Sequence, residues 1–389
     1  MKRVYLDNNA TTRMREEVLE AMLPFCKEIY GNASSIHQFG RAARLAVDKA
    51  RGEVAALLGA SSPEEIIFTS GGTESDNFAV KGVAHALRNK GNHIITSAIE
   101  HSAVLNTARA LERDGYKVTY LSVDGYGLVK ADDVKKAITD KTTLISIMYA
   151  NNEVGTIEPV NEIGAIAKER GIYFHTDAVQ AVGKEAFEVK DLPVDLLSMS
   201  AHKIYGPKGV GAIYIRKGTK IDAIMHGGGH EMNKRAGTEN VPGIVGLGKA
   251  AELAKKEVGE ESKRLRELRD YLYKGIAERI PHTRLNGHPE KRLPNTANIG
   301  FKYLEGESIM LNLDMEGIAV STGSACTSGT LEPSHVLTAM GIDAGAAQGS
   351  IRFSLGRDNT KEDMDYVLAA LPPIIQRLRE MSPLYEKGK

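Results

Sequence analysis

LLSMSAHKIYGPKGVGAIYI, the stretch Leu196 to Ile215, decides the architecture. Leu196 to Met199 reads as a short apolar strand, and Val210 to Ile215 reads as a second one. The residues between them are too few for a helical crossover, so these two strands are expected to run antiparallel. Between them lie Ser200, His202 and Lys203, followed by the turn Gly206-Pro207-Lys208-Gly209. A lysine beside such a turn is ordinarily a solvated loop residue. Lysine is also the side chain that forms Schiff bases with carbonyl compounds. What Lys203 does therefore depends on partners elsewhere in the chain.

Upstream, short β-rich runs alternate with helical patterns. Ile66 to Thr69, His93 to Ser97, Val118 to Val123, Thr143 to Tyr149 and Ile172 to Thr176 read as strands, and helices are expected from Thr73 to Arg88, up to Arg113, and from Ile163 to Glu169. Alternation of this kind predicts an α/β fold: a large domain with a mostly parallel seven-stranded sheet covered by helices on both faces. From about Ala251 the pattern changes to a long charged helix, Glu260 to Arg279, shorter elements including Thr296 to Phe301, and a last helix from Lys361 to Met381 that Pro372 and Pro373 should kink or interrupt. This predicts a smaller α+β domain. The boundaries are set at 15–255 for the large domain and at 1–14 with 256–389 for the small one.

With 389 residues the chain can bury an extensive core. Its 50 Lys plus Arg balance 50 Asp plus Glu, which gives no reason to expect a nucleic-acid partner. No apolar run has the length of a membrane helix, and the start, Met1 to Asp7, turns polar too soon for a signal peptide, so a cytoplasmic protein is expected. No internal repeat is visible.

The two cysteines, Cys26 and Cys326, cannot build a disulfide framework or a four-thiolate metal site within one chain. Cys26 sits in the apolar helical stretch Leu19 to Cys26 and is expected in the core. Cys326 lies in Ser321-Thr322-Gly323-Ser324-Ala325-Cys326-Thr327-Ser328-Gly329-Thr330, small and hydroxylated residues that describe a mobile loop. A thiol carried there is a candidate reagent.

The partners of Lys203 fall at the carboxyl ends of the expected strands, where open α/β sheets bind ligands. Ser70-Gly71-Gly72-Thr73-Glu74-Ser75 follows a strand and opens a helix, so its free N–H groups and the Thr73 hydroxyl can surround a phosphate. The run matches neither the dinucleotide fingerprint nor the P-loop spacing. In Tyr173 to Gln180, Asp177 can stabilise a protonated pyridine nitrogen, or serve only as a helix N-cap, and Gln180 can donate to a ring oxygen. Glu100-His101-Ser102 supplies an imidazole that can stack on a flat ring and move protons near neutral pH. Asn151-Asn152-Glu153-Val154-Gly155 is another polar strand end.

The order of these motifs, continued by Gly-Gly-Gly-His-Glu, Arg-Ala-Gly-Thr-Glu-Asn, Gly-Ser-Ala-Cys and Ile-Arg-Phe-Ser-Leu-Gly-Arg, resembles the cysteine desulfurases of the IscS/NifS type, within the class V aminotransferases. The resemblance runs from Tyr5-Leu6-Asp7-Asn8-Asn9-Ala10-Thr11-Thr12 almost to the C-terminus. It implies the fold-type I architecture of enzymes that use pyridoxal 5'-phosphate (PLP), a homodimer with active sites near the subunit interface, and conversion of L-cysteine to L-alanine with sulfur left as a protein persulfide.

Carried onto this chain, the resemblance makes Lys203 the cofactor's covalent anchor, His101 the stacking residue, and Asp177 and Gln180 the partners of the pyridine nitrogen and ring oxygen. Gly72, Thr73, Ser200 and His202 hold the phosphate, with Thr238 supplied by the neighbouring subunit. Asn152 borders both cofactor and substrate, and Arg352 takes the substrate carboxylate with two prongs. Lys203, His101 and Cys326 are the catalytic set, Cys326 being the nucleophile that receives the sulfur. The long small-residue run around Cys326 is similar to the branch that serves an iron–sulfur scaffold protein, which makes such a scaffold the implied acceptor and Cys326 a candidate iron–sulfur ligand through its persulfide. No other metal site is expected: His226, His230 and Glu231 belong to the family motif. Arg357 is expected to support Arg352, and His37 to be structural.

Three rival readings use the same residues differently. Another class V aminotransferase or PLP lyase shares Lys203 and Asp177 and has no use for Cys326. A selenocysteine lyase would need nearly the same cofactor chemistry. A non-catalytic sulfur-scaffold subunit would have no need of Lys203, His101 and Cys326 together.

Overall fold

Along most of the central sheet no residue reaches solvent. A computed structural model of the chain describes residues 2–322, 333–383 and 385, and in it every residue of the strands Ile66–Thr69, His93–Ser97, Thr142–Ser146, Leu196–Ser200 and Gly211–Ile215 is buried. Strands covered on both faces need apolar side chains pointing both ways, which is why they read as runs and not as alternations. The seven strands lie in the order Ile66–Thr69, Gly211–Ile215, Leu196–Ser200, Tyr173–Asp177, Thr142–Ser146, His93–Ser97, Lys117–Leu121. The run from Leu196–Ser200 to Lys117–Leu121 is parallel throughout. Gly211–Ile215 is antiparallel to both neighbours, as its closeness in sequence to Leu196–Ser200 requires.

Successive side chains of a strand point to opposite faces, and the core divides accordingly. Ile66, Phe68, Ile95, Ile145, Leu197, Met199 and Tyr214 pack on one face with Val47, Val54 and Leu58 of the helix Gln38–Leu58. Ile67, Ile94, Leu144, Leu196, Ile213 and Ile215 pack on the other with Phe78, Val80 and Val83 of Gly72–Ala86.

A third core joins Val4 and Leu6 to Leu272, Ile299, Phe301, Leu313, Ile351, Phe353 and Leu371 around an antiparallel sheet ordered Ser350–Ser354, Thr296–Phe301, Thr283–Asn286. Val4 and Tyr5 pair with Ile318 and Ala319. The helix Val241–Arg279 reaches both bodies, with Ile244 and Leu247 in the first core and Leu265, Leu272 and Ile276 in the third.

Three local expectations need correction. Val241–Arg279 starts well before Glu260, because its glycines are packing sites: a Cβ on Gly248 would lie 2.6 Å from Cα of Ala50. The last helix runs unbroken from Lys361 to Met381 through Pro372 and Pro373, held by Leu371, Ile374 and Ile375 in the third core. Cys26 is exposed and not a core residue; its helix, Glu16–Lys27, buries Val18 alone, which leaves Cys26 on the outer side.

Candidate active site

Thr69 and Ser200 both pair with Gly211, so the ends of these strands meet, and the loops leaving Ser97, Ser146 and Asp177 follow along the same edge. Lys203 ends the short helical turn Ala201–Lys203 directly after a strand. Its Nζ donates to two backbone carbonyls of the N-terminal segment, Asn9 O and, at 2.8 Å, Ala10 O. Gln180 reaches the same place: its Nε2 donates to Asn9 O at 2.9 Å, while its Oε1 accepts from Lys184 Nζ at 3.0 Å.

A cavity of about 490 Å³ is lined by Ser70, Gly71, Gly72, Thr73, Ser200, His202 and Lys208, among others. It opens at the N-terminus of Gly72–Ala86, where unpaired N–H groups and the helix dipole favour an anion. Gly72 is needed for close approach, since a Cβ there would stand 2.8 Å from Val179 Cγ2. Burial alone would push the Glu74 carboxyl up; hydrogen bonds from Arg235 and Ser70 outweigh it and hold the group ionised. His202 contacts Thr11 Oγ1 at 3.2 Å, and burial together with Lys203, Lys208 and Lys184 lowers its ring to about 4. A neutral His202 meets an anion as an N–H donor.

Asp177 caps a turn with one carboxylate oxygen and leaves the other open. Its Oδ1 accepts from Val179 N at 2.9 Å, capping the turn, and among the described residues Oδ2 makes no hydrogen bond. Burial raises its carboxyl, and His101 and Lys203 oppose that rise. His101 caps the helix Ser102–Arg113 by accepting from Ala103 N on Nδ1 at 3.1 Å. This commits Nδ1 as acceptor and leaves Nε2 to carry the mobile proton. Burial lowers the ring's affinity for a second proton, opposed by Asp177 and reinforced by Lys203.

Arg352, buried on the strand Ser350–Ser354, donates from Nη1 to Asn152 O and from Nη2 to Asp7 Oδ1, both at 2.9 Å. Its Nε is buried without a partner among the described residues. Asn151 shapes the adjoining loop by accepting from the N–H groups of Glu153 and Val154. Glu153 accepts from Ser334 Oγ at 2.5 Å, and burial, opposed by Ser334 and Arg352, pushes its carboxyl up to about 7.

Lys203, Gln180, His202, Arg352 and Asn152 are thus gathered around residues 7–11. Thr238 is exposed, outside this cluster. Cys326 lies outside the described residues. His230 is engaged with Glu239 and Ser34, and Glu231 forms a two-pronged bond with Arg51. Among the described residues no cluster suited to a metal occurs. His37 caps the helix Gln38–Leu58. Arg357 lies over the Tyr205 ring.

Sequence reasoning missed Asn9, whose carbonyl accepts from Lys203 and Gln180 and whose Nδ2 donates to Asn152 O; Asp7, the ion-pair partner of Arg352 at 2.9 Å; and Lys184. Asp7 and Asn9 stand in the N-terminal motif, which was the available signal.

The donors at the cavity fit a phosphate ester, and the open oxygen of Asp177 fits a protonated pyridine nitrogen, so these residues suit PLP. Residues 4–367 match the aminotransferase class-V family model, and the chain belongs to that family. Within it the chain is a PLP-dependent cysteine desulfurase. It is 59% identical over 386 residues to "Cysteine desulfurase IscS" of Methanosarcina thermophila, covering 99% of this chain and 95% of that one. It is 60% identical to the protein of the same name from Dictyoglomus turgidum, covering 100% of this chain and 99% of that one. Among solved structures, a NifS-like protein superposes with a TM-score of 0.91 at 45% identity, over 97% of this chain and 100% of that one. SspA in complex with cysteine superposes at 0.81 and 38% identity, over 90% and 98%.

Proposed function

We propose that this chain takes sulfur from L-cysteine onto Cys326 and passes it to an iron–sulfur scaffold protein. L-cysteine and the Cys326 thiol become L-alanine and a Cys326 persulfide, so atoms and electrons balance without an external oxidant. PLP, when bound, supplies an electron sink for charge developing at the substrate's Cα and weakens its Cβ–S bond. Gly72, Thr73, Ser200 and His202 would hold its phosphate, Asp177 would keep a proton on its ring nitrogen, Gln180 would donate to its ring oxygen and His101 would stack on its face. Lys203 would anchor it covalently, and the Lys203 amine, when free, would accept the Cα proton. Arg352 binds the substrate carboxylate beside Asn152, and His101 Nε2 moves protons. Cys326, as thiolate, attacks the substrate sulfur.

The observation that carries this reading is that Lys203 and Arg352 are tied to one short segment, through Asn9 and Ala10 for the amine and Asp7 for the guanidinium. In this reading, base and carboxylate anchor are held by one short segment, as the handling of a single small substrate requires.

The working unit in this reading is a homodimer in which the partner's copy of Thr238 completes the phosphate site. Exposed Tyr30, Ile36, Phe39 and Leu45 support it; the loop preceding Gln38–Leu58 touches His230 through Ser34, near Thr238. Each protomer divides into a large domain, 15–255, and a small one, 1–14 with 256–389, carrying Cys326. The cytoplasm is the site of action, because a persulfide carrier needs a compartment that keeps thiols reduced; no described helix is long and apolar enough to cross a membrane.

Incubating the PLP-loaded protein with L-cysteine and measuring alanine, and sulfide after adding reductant, tests the reading. Equal amounts of both are expected. Alanine produced undiminished by Cys326→Ala would refute sulfur transfer to that thiol.

A further inference from the structure

We propose that Lys184 is a positioning residue of the cofactor site, whose amino group holds the Gln180 carboxamide with Oε1 turned away from Lys203 and Nε2 turned toward it. This rests on the reading in which Gln180 faces the bound cofactor.

Lys184 is only 7% exposed, and lysines are rarely buried without a charged partner. Among the described residues its Nζ makes one hydrogen bond, to Gln180 Oε1 at 3.0 Å, and no ion pair. The other end of that carboxamide donates to Asn9 O, which also accepts from Lys203. Lys184, Gln180, the Asn9 carbonyl and Lys203 therefore form one line. A carboxamide has two orientations of nearly equal shape, and hydrogen-bond partners choose between them. Here a donor at one end and a carbonyl at the other both select the same orientation.

The chain is shaped to bring Lys184 in. Gly183 has φ 73°, and a Cβ on it would lie 2.8 Å from Cγ2 of Ile204, the neighbour of Lys203. From the helix Val241–Arg279, Ser262 Oγ donates to the Lys184 carbonyl and fixes the segment. Burial, with Lys203 and Arg352 as the facing charges, brings the Lys184 ammonium down to about 7. Amine and ammonium both donate, so the carboxamide keeps its orientation in either state.

Lys184→Met, Gln180→Leu and the double variant, each as PLP-loaded holoenzyme, test the proposal by pH titration of the visible band of the Lys203-bound cofactor, alongside thermal denaturation. Methionine keeps the volume without a buried charge, so Lys184→Met is expected to fold. Its spectral midpoint should move upward by about one pH unit, because the donor that holds the Gln180 carboxamide toward the cofactor's ring oxygen is lost. Adding Lys184→Met to Gln180→Leu should move the midpoint by no more than about 0.3 unit further, as for residues acting through one another. Lys184→Gln retains an N–H donor and should stay nearer wild type. A shifted midpoint in Gln180→Leu with an unshifted one in Lys184→Met and Lys184→Gln overturns the role of Lys184 alone. Additive shifts in the double variant overturn action through Gln180. No shift in Gln180→Leu overturns the underlying reading of Gln180 itself.

Discussion

Arg352 and Ser321 are joined by two backbone hydrogen bonds, Arg352 N to Ser321 O at 2.7 Å and Ser321 N to Arg352 O at 3.2 Å. The guanidinium proposed to bind the substrate carboxylate is thus fastened to the segment that leads toward Cys326. On the far side of that segment, Ser334 bonds to Glu153, next to Asn152, which accepts from Arg352 Nη1. Both flanks of the cysteine-bearing stretch are anchored around one arginine.

Arg352→Lys keeps the charge and loses the planar fork. With charged hydrogen bonds contributing about 1.5–3 kcal/mol each, the KM for L-cysteine should rise roughly 10- to 100-fold. Steady-state kinetics on holoenzyme measure it, and an unchanged KM would remove Arg352 from substrate binding.

Gly72→Ala places a methyl 2.8 Å from Val179 Cγ2 at the mouth of the cavity proposed to hold the phosphate. Weakened PLP retention on dialysis is expected, and Val179→Ala in the same chain should restore part of it. If Gly72→Ala retains cofactor like wild type, the cavity is not the phosphate site.

Much of this was legible in the residues. The strands were visible because doubly covered β-runs are rich in apolar and β-branched residues, and the candidate cofactor residues because they stand where strands end. Cys26 was misread because only tertiary contacts decide which face of Glu16–Lys27 is covered. The early start of Val241–Arg279 was hidden because its charged pattern begins only later, while Gly246 and Gly248 act as close-packing points against Met22 and Ala50. The Asn9 carbonyl carries no side-chain signature, and Lys184 is an ordinary surface residue until the fold buries it.

Glu231→Ala strands Arg51, whose buried guanidinium is otherwise held by the two Glu231 oxygens at 2.7 and 2.8 Å. Breaking a buried pair from one side costs about 3–5 kcal/mol, so a clear fall in Tm is expected. A Tm within a degree or so of wild type would show that the pair contributes little.

Glu100 is buried, with Oε1 accepting from Ser97 Oγ at 2.6 Å and from Met148 N at 3.0 Å, and Oε2 unpartnered among the described residues. Burial pushes its carboxyl up to about 8 from 4.5. The native state therefore binds this proton more tightly than the unfolded chain, and stability falls as pH rises from about 4.5 toward about 8. Glu100→Gln should flatten that slope, by a few kcal/mol at most. Denaturant melts across this range check it; parallel pH profiles for the two proteins would contradict it.

The central claim, that sulfur leaves L-cysteine for Cys326 under the control of Lys203, is tested most directly by mass spectrometry of the Cys326 peptide after a single turnover without reductant. One added sulfur on Cys326 is predicted in the wild type, and none in Lys203→Ala, which should also lack the visible band that Cys326→Ala retains. Sulfur found on Cys26, or on Cys326 in Lys203→Ala, would contradict the account.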